Sequence, residues 1–241
     1  MNTFLKTLYL LAPLAFSGNA MAANLTGRVS VVASSGRSAD QSGVVVWLEP
    51  AGAAPSAQQQ SPAVPSQTAT MVQKKELFQP HVLAVQVGTA VDFPNADPIF
   101  HNVFSNYDGQ IFDLQLYAPQ TSRRVMFRRP GIVHIFCNIH ESMSAIVAVL
   151  PTPYFAVTGS DGRFESRAPA GVYRLHVWHE RALDKKLQEL ERSLTLGDGN
   201  LNAGDIAVSE EGYSAQSHKN KYGQLYAPAP EESFFYPGGR R

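Results

Sequence analysis

The sequence predicts an all-β protein made of two β-sandwiches. Short segments rich in Val, Ile, Phe and Tyr recur between clusters of Gly, Pro, Asn and Asp, which is the pattern of strands joined by turns. Helix-forming residues compete with this pattern only at residues 182–196. A chain of 241 residues is long enough for two small domains. We therefore expect a larger sandwich up to residue 152 and a smaller one over residues 153–211.

Residues 1–22 have the features of a secretory signal peptide. Lys6 gives a basic start, residues 8–16 are apolar, and residues 20–22 form a small-x-small cleavage site. The apolar run is shorter than the roughly 20 residues of a membrane span, and no later stretch reaches that length. We therefore expect an exported, periplasmic protein without a membrane span, and an uncleaved anchor is the alternative.

The charge balance argues against a nucleic-acid partner. The chain has 20 basic and 20 acidic residues, and loss of the predicted signal peptide removes Lys6 alone. The remaining formal net charge is −1, whereas binding to phosphate backbones requires a basic surface. The basic run at residues 123–129 is compatible with a solvated strand or with a docking patch for a protein partner.

Seven predicted strands belong to the larger sandwich, for which we set bounds of 23–152. A segment at 51–70 interrupts them. It is rich in small residues, Pro and Gln, has no apolar face to bury, and is predicted to be a disordered insertion. The two N-terminal strands could complete either sandwich, and we assign them to the larger one. The predicted strands cover residues 25–33, 43–49, 82–87, 90–93, 124–128, 132–137 and 145–150.

A second β block follows Pro151. Asp161-Gly162 and the Pro-Ala-Gly sequence at 169–171 predict turns, and residues 172–179 predict a strong strand. The tail at 212–241 is polar and Pro-rich, and we expect it to be only partly ordered.

The segment CNIHESM, residues 137–143, contains the only cysteine of the chain. In an oxidising compartment a single thiol cannot form an internal disulfide, and binding to a metal would explain why it is there. Cys137 lies at the end of a predicted strand, and a tight loop would bring His140 and Met143 to the same point. A fourth ligand must come from elsewhere, and the candidate is His101 in the segment FPNADPIFHNVFS.

A thiolate, two imidazoles and a thioether form a donor set that favours only a few metal ions. Imidazole and thiolate suit both oxidation states of copper, and a weak axial thioether is typical of mononuclear blue-copper sites. Zinc is the weaker alternative, because thioether is a poor zinc ligand. A dinuclear copper centre needs a second cysteine and is excluded. His134 is not a candidate ligand, because strand alternation directs it away from Cys137.

The sequence offers no set of residues that indicates an enzyme. We find no Ser/His/Asp set, no paired carboxylates on a shared face and no phosphate-binding glycine loop. The closely spaced histidine pairs of multicopper oxidases are also missing. We therefore expect a binding or carrier protein.

Two segments resemble the small cupredoxins of the plastocyanin and amicyanin group. They are KELFQPHVLAVQVGTAVDFPNADPIFHNV at 75–103 and PGIVHIFCNIHESMSAIVAV at 130–149, and the C-x-x-H-x-x-M spacing is similar to the short ligand loop of amicyanin. The resemblance implies a cupredoxin Greek-key β-sandwich over about residues 70–150. It also implies that Asn102 ties the two ligand segments together by hydrogen bonds. The type 1 copper ligands that it implies are His101, Cys137, His140 and Met143.

The whole arrangement is similar to cupredoxin-like proteins known as methylamine-utilisation proteins. Residues 153–211 resemble carboxypeptidase regulatory-like, or transthyretin-like, β-sandwich domains. These resemblances imply electron transfer through one copper ion, with His140 at the rim of the molecule facing a redox partner protein of open identity. Storage or delivery of copper is the alternative function, and a structural or interaction role is a third. We expect a monomer.

Overall fold

The structure, a computed structural model, describes residues 22–33, 39–52, 68–106, 109–211 and 219–226. Most of the predicted signal peptide, residues 53–67 of the insertion and most of the tail lie outside the described residues. The described ranges contain seventeen strands and one helix, which confirms the all-β class. The elements are β1 (Ala22–Val32), β2 (Val45–Pro50), β3 (Thr68–Thr70), β4 (Val72–Gln73), β5 (Phe78–Gln79), β6 (Val82–Gln86), β7 (Ala90–Pro94), β8 (His101–Ser105), β9 (Phe112–Tyr117), β10 (Ser122–Met126), β11 (Gly131–Phe136), β12 (Ser144–Leu150), β13 (Phe155–Val157), β14 (Arg163–Pro169), β15 (Gly171–Trp178), α1 (Asp184–Glu189), β16 (Arg192–Leu196) and β17 (Leu201–Ser209).

The first sandwich packs a five-stranded sheet, in the order β6-β12-β11-β8-β9, against the three-stranded sheet β10-β7-β3. Side chains from both sheets share one core cluster, because successive residues of a strand alternate between its faces. In β11 this alternation buries Val133 and Ile135 on the face that they share with Cys137. β3 pairs with β7, so residues 68–70 form an edge strand, and the predicted disorder of these three residues is wrong.

β12 is apolar along nearly its whole length because both of its faces are covered. Val147 and Val149 belong to the core of the first sandwich. Ile146, Ala148 and Leu150 face the opposite way and form a separate buried cluster with Val45 of the second sandwich. A strand that is buried on both faces has a continuous apolar sequence rather than an alternating one. The cluster on the outer face of β12 joins the two sandwiches.

The second sandwich packs the sheet β14-β1-β17 against the sheet β13-β2-β15-β16. β1 pairs antiparallel with β14 and parallel with β17, and β2 lies between β13 and β15. The assignment of the two N-terminal strands to the first sandwich, and with it the boundary of 23–152, is therefore wrong. β1 and β2 pair with strands that follow residue 152. In the sequence, the strands of the first sandwich lie between β2 and β13.

The two N-terminal strands were assigned wrongly because their partners lie far away in the sequence, and the local residue pattern does not reveal such pairing. Leu25, Val29 and Val31 are buried on one face of β1, and such an alternating face would fit either core. The specific contact is made at Gly27, which pairs with Phe164 of β14. A Cβ atom at Gly27 would lie 2.5 Å from the Phe164 ring, so the missing side chain makes room for that ring.

The one helix in the described ranges is shorter than its sequence indicates. α1 takes up only the first part of the helix-forming segment at 182–196, because β16 takes the last part and pairs with β15. The helix buries Leu187, which packs into the core of the second sandwich. Within the described ranges, no helix has the length and apolar character needed to cross a membrane.

An ion pair links the two sandwiches beside their apolar contact. Nε2 of His81 lies 2.8 Å from Oε2 of Glu180, and the hydrogen bond between them raises the pKa of His81. Burial alone would raise the pKa of Glu180, but the hydrogen bond from His81 and the charges of His81, Arg181 and His179 together outweigh it, and the pKa of Glu180 is lowered. The stabilisation from His81 is complete below its ordinary pKa of about 6.5 and is lost as the pH rises through the raised value. The stabilisation from Glu180 is complete above its ordinary pKa of about 4.3 and is lost at lower pH.

We expect Glu180→Gln to lower the free energy of unfolding by at most about 1 kcal/mol at about pH 5.5 and by less at about pH 8.5. The effect is small because 49% of the His81 side chain is exposed. Urea unfolding at the two pH values measures it. The control is Glu189→Gln, which breaks the exposed pair with Lys186 and should act equally at both pH values. Equal effects of Glu180→Gln at both would contradict a charged His81.

Candidate metal centre

Three candidate ligands from two segments of the first sandwich converge on one point. Cys137 follows β11, His140 lies in the loop between β11 and β12, and His101 is the first residue of β8. The sulfur of Cys137 lies 3.8 Å from Nδ1 of His101 and 3.8 Å from Nδ1 of His140. One ligand atom from each residue lies within 4.8 Å of the other two. Cys137 and His101 are fully buried, whereas His140 is partly exposed.

The β11–β12 hairpin explains how the C-x-x-H-x-x-M spacing brings its three side-chain types into one loop. The ladder between the strands ends at the pair Phe136–Ser144, so the loop begins and ends at neighbouring positions. The Cys137 amide donates to the Met143 carbonyl at 3.1 Å, and the Met143 amide donates to the His140 carbonyl at 3.1 Å. Cys137 and Met143 therefore face each other at the base of the loop.

His101 and Met143 reach this loop from the sandwich core. Phe104 of β8 pairs antiparallel with Phe136 of β11, so the start of β8 lies beside the end of β11 and presents His101 there. Met143 is fully buried in the same core cluster as Cys137. Its position at the base of the loop is compatible with the predicted role as the fourth ligand.

Asp97 fixes the orientation of His101. Its Oδ2 lies 2.9 Å from Nε2 of His101, and both side chains are buried. When Nε2–H donates to this carboxylate, the lone pair of Nδ1 is directed toward Cys137. Burial alone would raise the pKa of Asp97, but hydrogen bonds from the amides of Glu76 and Lys75 and from His101 lower the pKa overall. The carboxylate stays charged and holds the imidazole in the form that binds a metal.

A tight turn brings the two amides to Asp97. β4 and β5 form a hairpin that is closed by reciprocal backbone hydrogen bonds between Lys74 and Leu77. Lys75 and Glu76 both have a φ of 56°, a left-handed conformation that such turns require and that Asn and Gly usually supply. Their amides donate to Asp97 at 2.6 and 2.9 Å, which offsets the conformational cost. The turn and the carboxylate thus stabilise each other.

The electrostatic surroundings of His140 favour its neutral form. Burial is the main cause that lowers the pKa of His140, and a positive charge on nearby His101 would lower it further. The two imidazole rings are close, with centroids 4.9 Å apart and planes inclined by 65°. Since a metal binds the neutral imidazole, this lowered pKa favours His140 as a ligand at neutral pH.

Asn102 ties the two ligand segments together, as the cupredoxin resemblance implies. Its Oδ1 accepts a hydrogen bond from the Asn138 amide at 2.5 Å, and its Nδ2 donates to Oδ1 of Asp113 at 3.3 Å. Asn102 directly follows His101, and Asn138 directly follows Cys137. This bond therefore fixes the distance between the backbones that carry two of the candidate ligands.

Sequence comparison relates the chain to a protein of methylamine utilization. No family model matches the chain. Methylamine utilization protein MauL from Methylorubrum extorquens is 35% identical to it over 80 residues, which are 33% of this chain and 69% of MauL. The chain belongs to the MauL family. The match covers a third of the chain, and the likeness of residues 153–211 to carboxypeptidase regulatory-like domains stays a prediction.

Solved structures similar to this MauL-family chain include cupredoxins and a copper enzyme. A purple cupredoxin from Nitrosopumilus maritimus is 21% identical, with a TM-score of 0.31 over 34% of this chain and 99% of that one. An amicyanin variant in the Cu(I) state is 19% identical, with a TM-score of 0.33 over 34% of this chain and 82% of that one. The copper-containing nitrite reductase of Thermus scotoductus is 23% identical, with a TM-score of 0.34 over 42% of this chain and 25% of that one.

Within the MauL-family chain, the structure brings three predicted ligands together and buries the fourth in the same core. These residues are His101, Cys137, His140 and Met143. His134 stacks on Phe136, with ring centroids 6.2 Å apart, and lies outside this group, as strand alternation predicts. Sequence reasoning missed Asp97. Its only signal was an acidic residue four positions before His101, and the turn that supplies its other partners has no typical turn sequence.

Proposed function

We propose that this MauL-family protein is a mononuclear type 1 copper protein that carries electrons in the periplasm. The observation that supports it is the buried thiol of Cys137, with Nδ1 of His101 and Nδ1 of His140 both 3.8 Å from its sulfur. Met143 would be the fourth ligand. A copper ion bound by these residues would supply a one-electron Cu(II)/Cu(I) couple. The proposed carrier is a monomer and not an enzyme.

The spacing and chemistry of the donor atoms fit one copper ion. Sulfur and nitrogen ligands that are bonded to one metal ion at about 2.3 Å and about 2.0 Å, the lengths found for zinc, are separated by about 3.7 Å when they lie about 120° apart, as in a trigonal copper site. The sulfur of Cys137 lies 3.8 Å from both imidazole nitrogens. Zinc also accepts one thiolate and two imidazoles, but the buried Met143 beside Cys137 offers a thioether, which suits copper better than zinc.

The protein holds these donors in place by packing and hydrogen bonds. Asp97 fixes the ring of His101, and the fully buried Cys137 and Met143 are joined through their backbones at the base of the loop. Donors that are held in this way keep their positions when the charge at the site changes. A site of constant shape suits an electron carrier, because little reorganisation accompanies each transfer.

His140 is the candidate ligand that reaches the surface, and apolar side chains next to the ligands are exposed there. Ile99, Phe100 and Ile139 are 38%, 52% and 46% exposed. We place the docking surface of the redox partner here, because apolar side chains exclude water from a contact. The exposed arginines of residues 123–129 would orient an acidic partner by long-range attraction.

The test compares electron self-exchange with loss of copper. For a carrier, self-exchange between the Cu(II) and Cu(I) forms, measured by NMR line broadening in mixtures, should be faster than transfer of copper to a chelator from either form. Slow self-exchange together with rapid copper transfer from both forms would contradict the carrier proposal and favour storage or delivery of copper.

A further inference from the structure

The C-terminal segment, residues 219–226, returns to the first sandwich and lies against the ligand loop, residues 137–143. The chain reaches this position after it has completed the second sandwich with β17. The sequence predicts only a partly ordered polar tail here. Three polar contacts join the segment to the first sandwich: Tyr226 with Cys137, the Lys221 amide with Asn138, and the Lys221 ammonium with Asp113.

Tyr226 bonds to the backbone of the candidate thiolate ligand. Its hydroxyl donates to the Cys137 carbonyl at 2.6 Å, and the Cys137 amide donates to the Met143 carbonyl at 3.1 Å. The two backbone polar groups of Cys137 are therefore both bonded, one within the loop and the other to the C-terminal segment. Tyr226 is partly buried, which protects this bond from competition with water.

Lys221 closes a ring of hydrogen bonds that joins four segments of the chain. Its amide donates to Oδ1 of Asn138 at 2.9 Å, and the Asn138 amide donates to Oδ1 of Asn102 at 2.5 Å. Nδ2 of Asn102 donates to Oδ1 of Asp113 at 3.3 Å, and the Lys221 ammonium donates to Oδ2 of the same carboxylate at 2.9 Å. The side chains of Lys221 and Asp113 are only 19% and 28% exposed, so solvent screens their attraction incompletely.

We propose that the C-terminal segment is a clamp that holds the ligand loop in its metal-binding conformation, with Tyr226 and Lys221 as positioning residues. The loop can open only if these bonds break, and each bond adds to the free energy of local opening. The clamp therefore slows the opening of the loop and, through it, the loss of a bound metal ion. The effect on the metal rests on the proposed function, whereas the effect on the loop does not.

Amide hydrogen exchange in the metal-free protein tests the clamp. Tyr226→Phe removes only the hydroxyl, and loss of one hydrogen bond of ordinary strength should accelerate exchange of the Cys137 and Asn138 amides about fivefold. Tyr154→Phe makes the same chemical change in the second sandwich and should leave both rates unchanged. Unchanged exchange at Cys137 and Asn138 in Tyr226→Phe would overturn the clamp.

A second variant tests the other anchor and the effect on the metal. Lys221→Met removes the ammonium group but keeps the backbone amide, and it should accelerate exchange of the Asn138 amide about twofold. Copper should pass to a chelator fastest from Tyr226→Phe, more slowly from Lys221→Met and most slowly from the wild type. Equal rates of copper loss would overturn the claim that the clamp retains the metal. If the wild type binds no copper, the proposed function fails, and hydrogen exchange still decides whether the clamp exists.

Discussion

Cys137→Ser should abolish the intense thiolate-to-copper absorption that we expect for the wild-type protein at about 600 nm. Cys137 is the only cysteine of the chain, so no second thiol can replace it. A serine hydroxyl is a poor ligand because it stays protonated at neutral pH. Replacing a residue that only hydrogen-bonds to a metal ligand typically lowers the metal affinity tenfold to hundredfold. Replacing the ligand Cys137 should lower the copper affinity by more than this. Visible spectroscopy and competition with a chelator measure both effects.

Two further variants show whether this loss is specific to the ligand set. His134→Ala should keep both the colour and the copper, because His134 stacks on Phe136 and lies outside the group formed by His101, Cys137 and His140. Met143→Leu should keep the colour and shift the reduction potential, since a weak axial ligand tunes the potential. A blue Cys137→Ser variant, or loss of copper in His134→Ala, would contradict the ligand set.

Asp97→Asn should weaken both the fold and the metal site. Asp97 accepts hydrogen bonds from the Lys75 amide at Oδ1 and from the Glu76 amide and His101 at Oδ2. An asparagine at this position must turn its NH₂ group toward at least one of these donors. We expect the free energy of unfolding to fall by about 1–3 kcal/mol and the copper affinity to fall about tenfold to hundredfold, because His101 loses the partner that sets its tautomer.

Urea unfolding and chelator competition measure these two effects separately. Asp92→Asn is the matched control, because Asp92 is an acidic residue of the same sandwich that pairs with exposed Arg124 on the surface. It should change the copper affinity by less than about twofold, as surface pairs contribute little. Wild-type copper affinity in Asp97→Asn would show that Asp97 does not position His101.

The local features of the fold and of the ligand loop could be predicted from the sequence. The alternation in β11 predicts that Cys137 shares a face with Ile135 and that His134 does not, since the strand period fixes which residues share a face. The spacing of Cys137, His140 and Met143 predicts a hairpin loop because both neighbouring segments have strand composition. His101 could be placed in the site because the segments around it and around Cys137 resemble those of cupredoxins. No local sequence pattern links residues 101 and 137.

The missed features all depend on contacts between distant parts of the chain. β1 and β2 have alternating faces that fit either core, and their partners β14 and β15 lie more than a hundred residues away in the sequence. Asp97 acquires its role from the amides of Lys75 and Glu76, two residues in an uncommon left-handed conformation. The segment at 219–226 looks like a solvated tail because its contacts use polar side chains and backbone groups. Composition alone does not reveal such contacts.

We propose that His101, Cys137, His140 and Met143 bind one copper ion in a type 1 site. The most direct test is a titration of the purified wild-type protein with Cu(II), followed by visible absorption. We predict an intense band at about 600 nm that grows linearly and stops growing at one copper ion per chain. A titration that gives no such band, or a band that continues to grow beyond one equivalent, would contradict a mononuclear type 1 copper site.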